Sequence, residues 1–253
     1  ACVGIEPALE HHAARIAGGV FTPSECAVDC AALCQGLHRR LTARGVQFRL
    51  GESVQGWLQA GGRVRAVRLA SGELEGDAFV LAAGTGSVRL ARQLGVRLPV
   101  YPLKGYSITV PVQGRGTGVA PRVSITDLAR KVVFARLGQR LRVAGMAELV
   151  GEDRQVVGAR IESLKATTRA VFPGLPLDGP LQAWAGLRPA TPRGLPLTGR
   201  APGLPENVWL NTGHGALGLT LSMGSAERIR LMLSRPASGR PDRCLPAPAA
   251  CSA

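Results

Sequence analysis

The run Asn211-Thr-Gly-His-Gly-Ala-Leu-Gly-Leu-Thr-Leu-Ser222 constrains this chain more than any other segment. It places a G-x-G-x-x-G turn (Gly213, Gly215, Gly218) after an apolar stretch, Val208, Trp209 and Leu210, and before a helical pattern ending near Leu233. A dinucleotide fingerprint requires more than the glycines. A second strand must complete a βαβ unit, with an acidic residue about 20 positions on to hold a ribose. Here the helix gives way to Pro- and Ala-rich residues, and Asp242 lies among them. The segment therefore reads as a last strand and a last helix. Such a turn still directs unpaired N–H groups and the positive end of a helix dipole at an anion or an electron-rich ring.

At 253 residues and 45% hydrophobic content the chain can bury a sizeable core, and the alternation of helical and strand-like segments predicts an α/β class. The net charge of +14 and pI near 11.0 raise the question of nucleic acid. The distribution answers it: arginines are scattered, lysine occurs only at Lys104, Lys131 and Lys165, and aromatics make up 4%, too few for a base-stacking platform. Specific nucleic-acid binding is not expected. No run of 18 apolar residues is present, and no secretion signal is legible at the start. Six cysteines in this length do not form a disulfide framework, so the expected compartment is a reducing cytoplasm. Cys26, Cys30 and Cys34 recur every four residues and are continued by Leu37 and Leu41. That stripe lacks a fourth metal ligand and predicts a buried apolar helix face.

Along the chain, Thr22-Pro-Ser-Glu25 signals a helix start, with a helix expected from about Ala27 to Arg44 and stopped by Gly45. Val46–Leu50, Arg63–Leu69 and a short segment after Ser71-Gly72 read as strands. Phe79–Ala83 is an unbroken apolar run expected to be a buried parallel strand, and Gly84-Thr-Gly-Ser87 then caps a helix reaching Leu94. Tyr106–Val110, Val123–Thr126, Val132–Arg136 and Leu141–Met146 predict an antiparallel sheet with a hairpin at Gly138-Gln139. A helix is expected from Ala159 to Val171 and extended chain from Trp184 to Gly199. The low-complexity stretch 236–253 is expected to be disordered.

Six segments, in order, resemble the FAD-dependent D-amino acid dehydrogenases, within the wider D-amino acid oxidase and glycine oxidase group. They are Gly4-Ile-Glu-Pro-Ala-Leu9, Asp29-Cys30, Val100-Tyr-Pro-Leu-Lys-Gly-Tyr-Ser107, Arg142-Val-Ala-Gly-Met-Ala-Glu148, Trp184-Ala-Gly-Leu-Arg-Pro189 and Leu210-Asn-Thr-Gly-His-Gly-Ala-Leu-Gly218. The resemblance implies an α/β fold: an incomplete FAD-binding domain of the glutathione-reductase type, with an interleaved antiparallel-sheet substrate domain. It divides the chain into residues 1–98 of the FAD-binding domain, a substrate domain at 99–187, a return at 188–235, and the tail at 236–253. Members of that family begin with a strand, a glycine turn and a helix that hold the ADP half of FAD. The expectation is thus a C-terminal portion, or a chain completed by an N-terminal partner. Departures from the family pattern include Cys26, Val28, Arg193, Leu219 (for a Trp beside the flavin motif) and Met223.

The resemblance also implies roles. Arg188 holds the substrate carboxylate, for which the planar guanidinium fork suits better than an ammonium. Tyr106 hydrogen-bonds substrate or lies against the flavin, or else packs in the core. Lys104 neutralises the flavin's N1 side or is solvated. Gly213, His214, Gly215 and Gly218, with Leu219 and Thr220, pass close to the isoalloxazine ring, while Val54, Ala83 and Gly84 meet the adenine and pyrophosphate. The implied activity is oxidation of a D-amino acid to a 2-oxo acid and ammonia, by hydride transfer to FAD. Electrons then pass to a quinone or other acceptor, peripherally at the inner membrane. The alternatives are a glycine or sarcosine oxidase on the same scaffold, and an inactive portion that needs a partner to hold FAD.

Overall fold

A computed structural model describes residues 1–112 and 119–234; the expected tail at 236–253 lies outside the described residues. The first helix is α1 (Cys2–Ile5), followed by a 3-10 turn (Pro7–Arg15) and α2 (Cys30–Thr42). Strands β1 (Gly56–Ala60), β2 (Arg63–Leu69), β3 (Gly72–Glu75) and β4 (Phe79–Leu81) lead to α3 (Ser87–Gln93). Then come β5 (Tyr101–Pro111), β6 (Ile125–Asp127), β7 (Val132–Leu137), β8 (Arg140–Glu148) and α4 (Gly158–Val171). The remainder is β9 (Gln182–Ala190), β10 (Leu197–Gly199), β11 (Val208–Thr212) and α5 (Gly218–Ser234).

Two compact units result: Ala1–Arg44 with Lys104–Leu187, and Gly45–Leu103 with the residues from Arg188 on. The expectation placed residues 1–44 with the stretch up to 98, whereas they fold with 104–187. The reason is local and polar. Glu6, 2% exposed, caps the first 3-10 turn at Ala8 N and also accepts from the amides of Arg122 and Val123. His12 Nδ1 meets the Ala170 carbonyl at the end of α4, 3.2 Å away.

The first unit is built on a five-stranded sheet in the order β6-β7-β8-β5-β9, with the expected hairpin pairing Leu137 to Arg140. Ile108, Val110, Leu141, Val143 and Phe134 bury one face against Ile161, Leu164, Val171 and Phe172 of α4 and its C-terminal cap. Phe134 and Phe172 meet edge to face, their centroids 5.0 Å apart. Helix α2 begins later than predicted, because the Asp29 carboxylate accepts from Ala31 N and Ala32 N, both at 3.1 Å, and fixes the first turn there. The predicted buried stripe is exposed: Cys26, Cys30, Cys34, Leu37 and Leu41 all face outward, and no residue of α2 is buried.

The second unit holds the β1-β2-β3 meander and a sheet in the order β10-β11-β4, with β11 parallel to β4. Its core is Leu81, Leu90, Val96, Leu98, Val100, Leu197 and Leu210. Phe79–Leu81 is parallel as predicted, but only Leu81 is buried, and Val80 is 40% exposed. The predicted strand at 46–50 does not form: no strand pairs with it among the described residues, and Leu50 is 76% exposed. Asn207 joins the meander to the parallel pair. It accepts from Val64 N (3.0 Å) and donates to the carbonyls of Val64 (2.7 Å) and Asp77 (3.1 Å).

Candidate cofactor and substrate site

Because β4 and β11 run in the same direction with Leu81 opposite Leu210, their C-terminal ends open on one side of the second unit. That is the side on which open α/β sheets bind ligands. Each strand runs directly into a glycine turn. After β4, Ala83 donates its amide to Ser87 Oγ (3.1 Å), Gly84 takes a left-handed φ of 58°, and a 3-10 turn (Gly84–Gly86) leads into α3. After β11, Gly213 (φ 79°) and Gly215 (φ 55°) are left-handed, and a 3-10 turn (Gly215–Leu217) leads into α5. Thr212 Oγ1 donates to the Gly84 carbonyl at 3.0 Å, which ties the two turns together. The sequence-predicted residues Ala83, Gly84, Gly213, His214, Gly215, Gly218, Leu219 and Thr220 thus belong to one pair of adjoining turns and the helix start beside it.

The glycines differ in what they serve. A Cβ at Gly213 would lie 2.7 Å from Thr191 Cγ2 and 3.6 Å from atoms of Leu197, so its missing side chain makes room for the protein itself. At Gly84 and Gly215 a Cβ would meet nothing within 4 Å, so the backbone there faces open space. Gly218 is the first residue of α5, while Leu219 and Thr220 lie exposed on its first turn. His214 Nε2 stands 3.1 Å from Ser225 Oγ, and burial pushes its pKa below the usual histidine value. Val54 is half-buried against the core, and its carbonyl accepts from Arg89 Nη2 at 2.8 Å. The sequence reading missed Thr212, Ser87, Arg89 and Ser225. Hydroxyls at a strand end and at a helix start, next to glycine turns, were the signal available for the first two.

In the first unit, a bulge decides the placement of Lys104 and Tyr106. Tyr106 pairs with Gly145 but Lys104 pairs with Glu148, so β8 carries one extra residue against β5. Met146 absorbs it at φ 67°, a left-handed conformation that non-glycine residues seldom adopt. Because strand side chains alternate, the extra residue turns Glu148 onto the face shared by Lys104 and Tyr106. Tyr106, 1% exposed, donates its hydroxyl to Glu148 Oε2 (2.8 Å), and Glu148 also pairs with Arg160 (2.6 Å). Lys104 is fully buried, pairs with Asp153 (2.7 Å), and holds Nζ 5.1 Å from the Tyr106 ring centroid. Asp153 holds the Lys104 pKa above its usual value, and Lys104 holds the Asp153 carboxyl below its own. The Tyr106 hydroxyl does most to hold the Glu148 carboxyl below the carboxylate range. Tyr106 thus sits in the core with its hydroxyl engaged, and Lys104 is ion-paired rather than solvated. Glu148 and Asp153 escaped the sequence reading, because without the bulge Glu148 has the wrong parity.

Strand β9 carries Arg188, which is half-buried; desolvation lowers its pKa while its guanidinium stays charged. On the same strand the Trp184 ring folds across Gly186, where a Cβ would fall 2.0 Å from the indole, and Arg142 lies 5.3 Å over that ring. Among the described residues no cluster of His, Cys, Asp and Glu is arranged for a metal, and no helix is long and apolar enough to cross a membrane.

The fold matches glycine oxidase from Geobacillus kaustophilus with a TM-score of 0.81 at 21% identity, covering 93% of this chain and 62% of that one. Residues 1–230 match the model of the DAO family, described as FAD dependent oxidoreductase, and the chain belongs to that family. It is 45% identical over 237 residues to D-amino acid dehydrogenase 2 of Ralstonia nicotianae, covering 91% of this chain and 55% of that protein. It is 43% identical over 240 residues to the D-amino acid dehydrogenase of Paramagnetospirillum magneticum, covering 95% and 55%. The chain therefore spans about half the length of the curated relatives it matches.

Proposed function

We propose that this chain is the portion of an FAD-dependent D-amino acid dehydrogenase that carries the substrate arginine and the flavin-facing turn. One observation supports the reading above others: the two glycine turns tied by Thr212, with open backbone at Gly84 and Gly215. The residues that would hold FAD are Val54, Ala83, Gly84, Gly213, His214, Gly215, Gly218, Leu219 and Thr220. When bound, FAD supplies the hydride acceptor that converts a D-amino acid to an imino acid, which water hydrolyses to a 2-oxo acid and ammonia. Arg188 grips the substrate carboxylate through two parallel N–H bonds, strengthened by its partial desolvation. The amide groups and dipole at the start of α5 favour negative charge at the turn. Tyr106 acts from the core, holding Lys104 against its ring face, and Glu148 fixes its hydroxyl. Positioning supplies much of the rate in this scheme, since no strong side-chain base is needed.

A quinone or other acceptor takes the electrons, and the net charge of +14 favours peripheral association with an anionic inner membrane. The chain spans about half the length of its relatives, so further chain, covalent or supplied by a partner, would complete the cofactor site. Anaerobic titration of the FAD-loaded protein tests the reading. D-alanine should bleach the flavin where L-alanine, glycine and sarcosine do not. Arg188→Met should raise the D-alanine concentration required by about 100-fold, the loss of a charge-assisted pair. Faster bleaching by glycine or sarcosine would replace this reading with an amine oxidase.

A further inference from the structure

Two hydrogen bonds at the second glycine turn draw on a single hydroxyl. Ser225 Oγ lies 3.1 Å from the Ser222 carbonyl oxygen and 3.1 Å from His214 Nε2. A carbonyl oxygen only accepts, so the one proton of Ser225 is committed to Ser222. The second contact then holds only if Nε2 carries the hydrogen and donates to Ser225 Oγ. Ser225 has little freedom to do otherwise: it is 8% exposed, and with Ile229, four residues on, it is one of the two buried residues of α5. His214 precedes the 3-10 turn without using its side chain to cap it. The ring edge opposite Nε2 is therefore not spent on the amides of that turn.

We infer that Ser225 is a positioning residue that fixes His214 as the Nε2–H tautomer and so leaves Nδ1 as a hydrogen-bond acceptor at the Gly213–Gly218 turn. The acceptor matches a ligand bearing N–H or O–H donors. A flavin presents both kinds, so the assignment of the ligand rests on the cofactor reading above, while the tautomer does not. An imidazolium would offer no acceptor. Burial of His214, which disfavours the charged form, works in the same direction. The role differs from that of a catalytic base, since the ring is asked to accept a hydrogen bond and not to remove a proton.

Long-range proton–nitrogen NMR of the purified chain labelled with ¹⁵N-histidine reads the tautomer directly, with His214→Asn identifying the signals. The expected result is Nε2 protonated and Nδ1 bare at neutral pH. Ser225→Ala should lose the single tautomer and populate Nδ1–H as well, and Ser225→Thr, which keeps the hydroxyl, should restore it. A wild-type ring protonated at Nδ1 would overturn the inference, because Ser225 would then be the donor. FAD added to the same sample, with flavin fluorescence reporting binding, should move Nδ1 towards a hydrogen-bonded position. Bound FAD with Nδ1 unmoved would overturn the acceptor role. Absence of FAD binding with the Nε2–H tautomer intact would count against the cofactor reading and leave the role of Ser225 standing.

Discussion

Replacing Gly213 by alanine separates two reasons for a glycine that usually act together. The residue is left-handed (φ 79°), and an alanine there incurs about 1–2 kcal/mol of backbone strain. Its Cβ would also sit 2.7 Å from Thr191 Cγ2, inside any real carbon–carbon contact, adding about 1–3 kcal/mol of overpacking. Alanine recovers about 0.4–1 kcal/mol by restricting the unfolded chain. The net expectation for Gly213→Ala is a loss of about 2–4 kcal/mol, a large share of the roughly 5–15 kcal/mol of a typical domain. Gly215→Ala is the internal control: its φ is 55°, but its Cβ meets nothing within 4 Å, so a loss of about 1 kcal/mol is expected from strain alone. Thr191→Ser removes the offending methyl while keeping the hydroxyl, which donates to the Leu195 carbonyl at 2.8 Å. In a double-mutant cycle by urea unfolding, the pair Gly213→Ala and Thr191→Ser should therefore recover about 1–2 kcal/mol relative to additivity. If Gly213→Ala costs no more than Gly215→Ala, or if Thr191→Ser recovers nothing, the packing argument is wrong.

Gly186→Ala should drive the Trp184 indole off the strand, since the new Cβ overlaps it at 2.0 Å and the ring, 51% exposed, has room to swing out. A red shift of the tryptophan emission, with about 0.5–1 kcal/mol lost from the Arg142 contact, is expected; an unchanged spectrum would show that the ring never lay there. Asn207→Ala removes three hydrogen bonds and strands groups of Val64 and Asp77, so about 3 kcal/mol should be lost on chemical denaturation, and a loss under 1 kcal/mol would contradict the bridging role. Acid should weaken the first unit. The depressed Asp153 and Glu148 carboxyls contribute stability above the unfolded carboxylate range near pH 4, and that stability is lost as pH falls through their folded values. Lys104, raised, keeps its contribution until pH exceeds the usual lysine range of about 10.4. Asp153→Asn should accordingly flatten part of the acid slope in the melting temperature, and an unaltered slope would remove Lys104–Asp153 from the account.

Much of the local structure around the candidate site was legible because its signals are local. Glycines at a strand-to-helix turn, a hairpin at Gly138-Gln139 and an apolar run at Phe79 each depend on a few neighbouring residues. The failures were of two kinds. The strand expected at 46–50 and the buried stripe of α2 have the right periodicity, but a strand needs a partner and an apolar face needs a cover, and neither is a property of the segment itself. The start of α2 was missed because two capping signals compete within eight residues, and the Asp29 carboxylate holds two amides.

The sequence by itself determined the glycine turns, the hairpin at Gly138-Gln139 and the arginine on an extended segment, since periodicity, steric freedom and motif spacing are written residue by residue. The tertiary structure alone decided that Thr212 would tie the two turns, that residues 1–44 would fold with 104–187, and that one extra residue at Met146 would turn Glu148 towards Tyr106. Those outcomes depend on which strands lie side by side and in what register. Register is settled by the burial of whole faces at once, so no single segment encodes it.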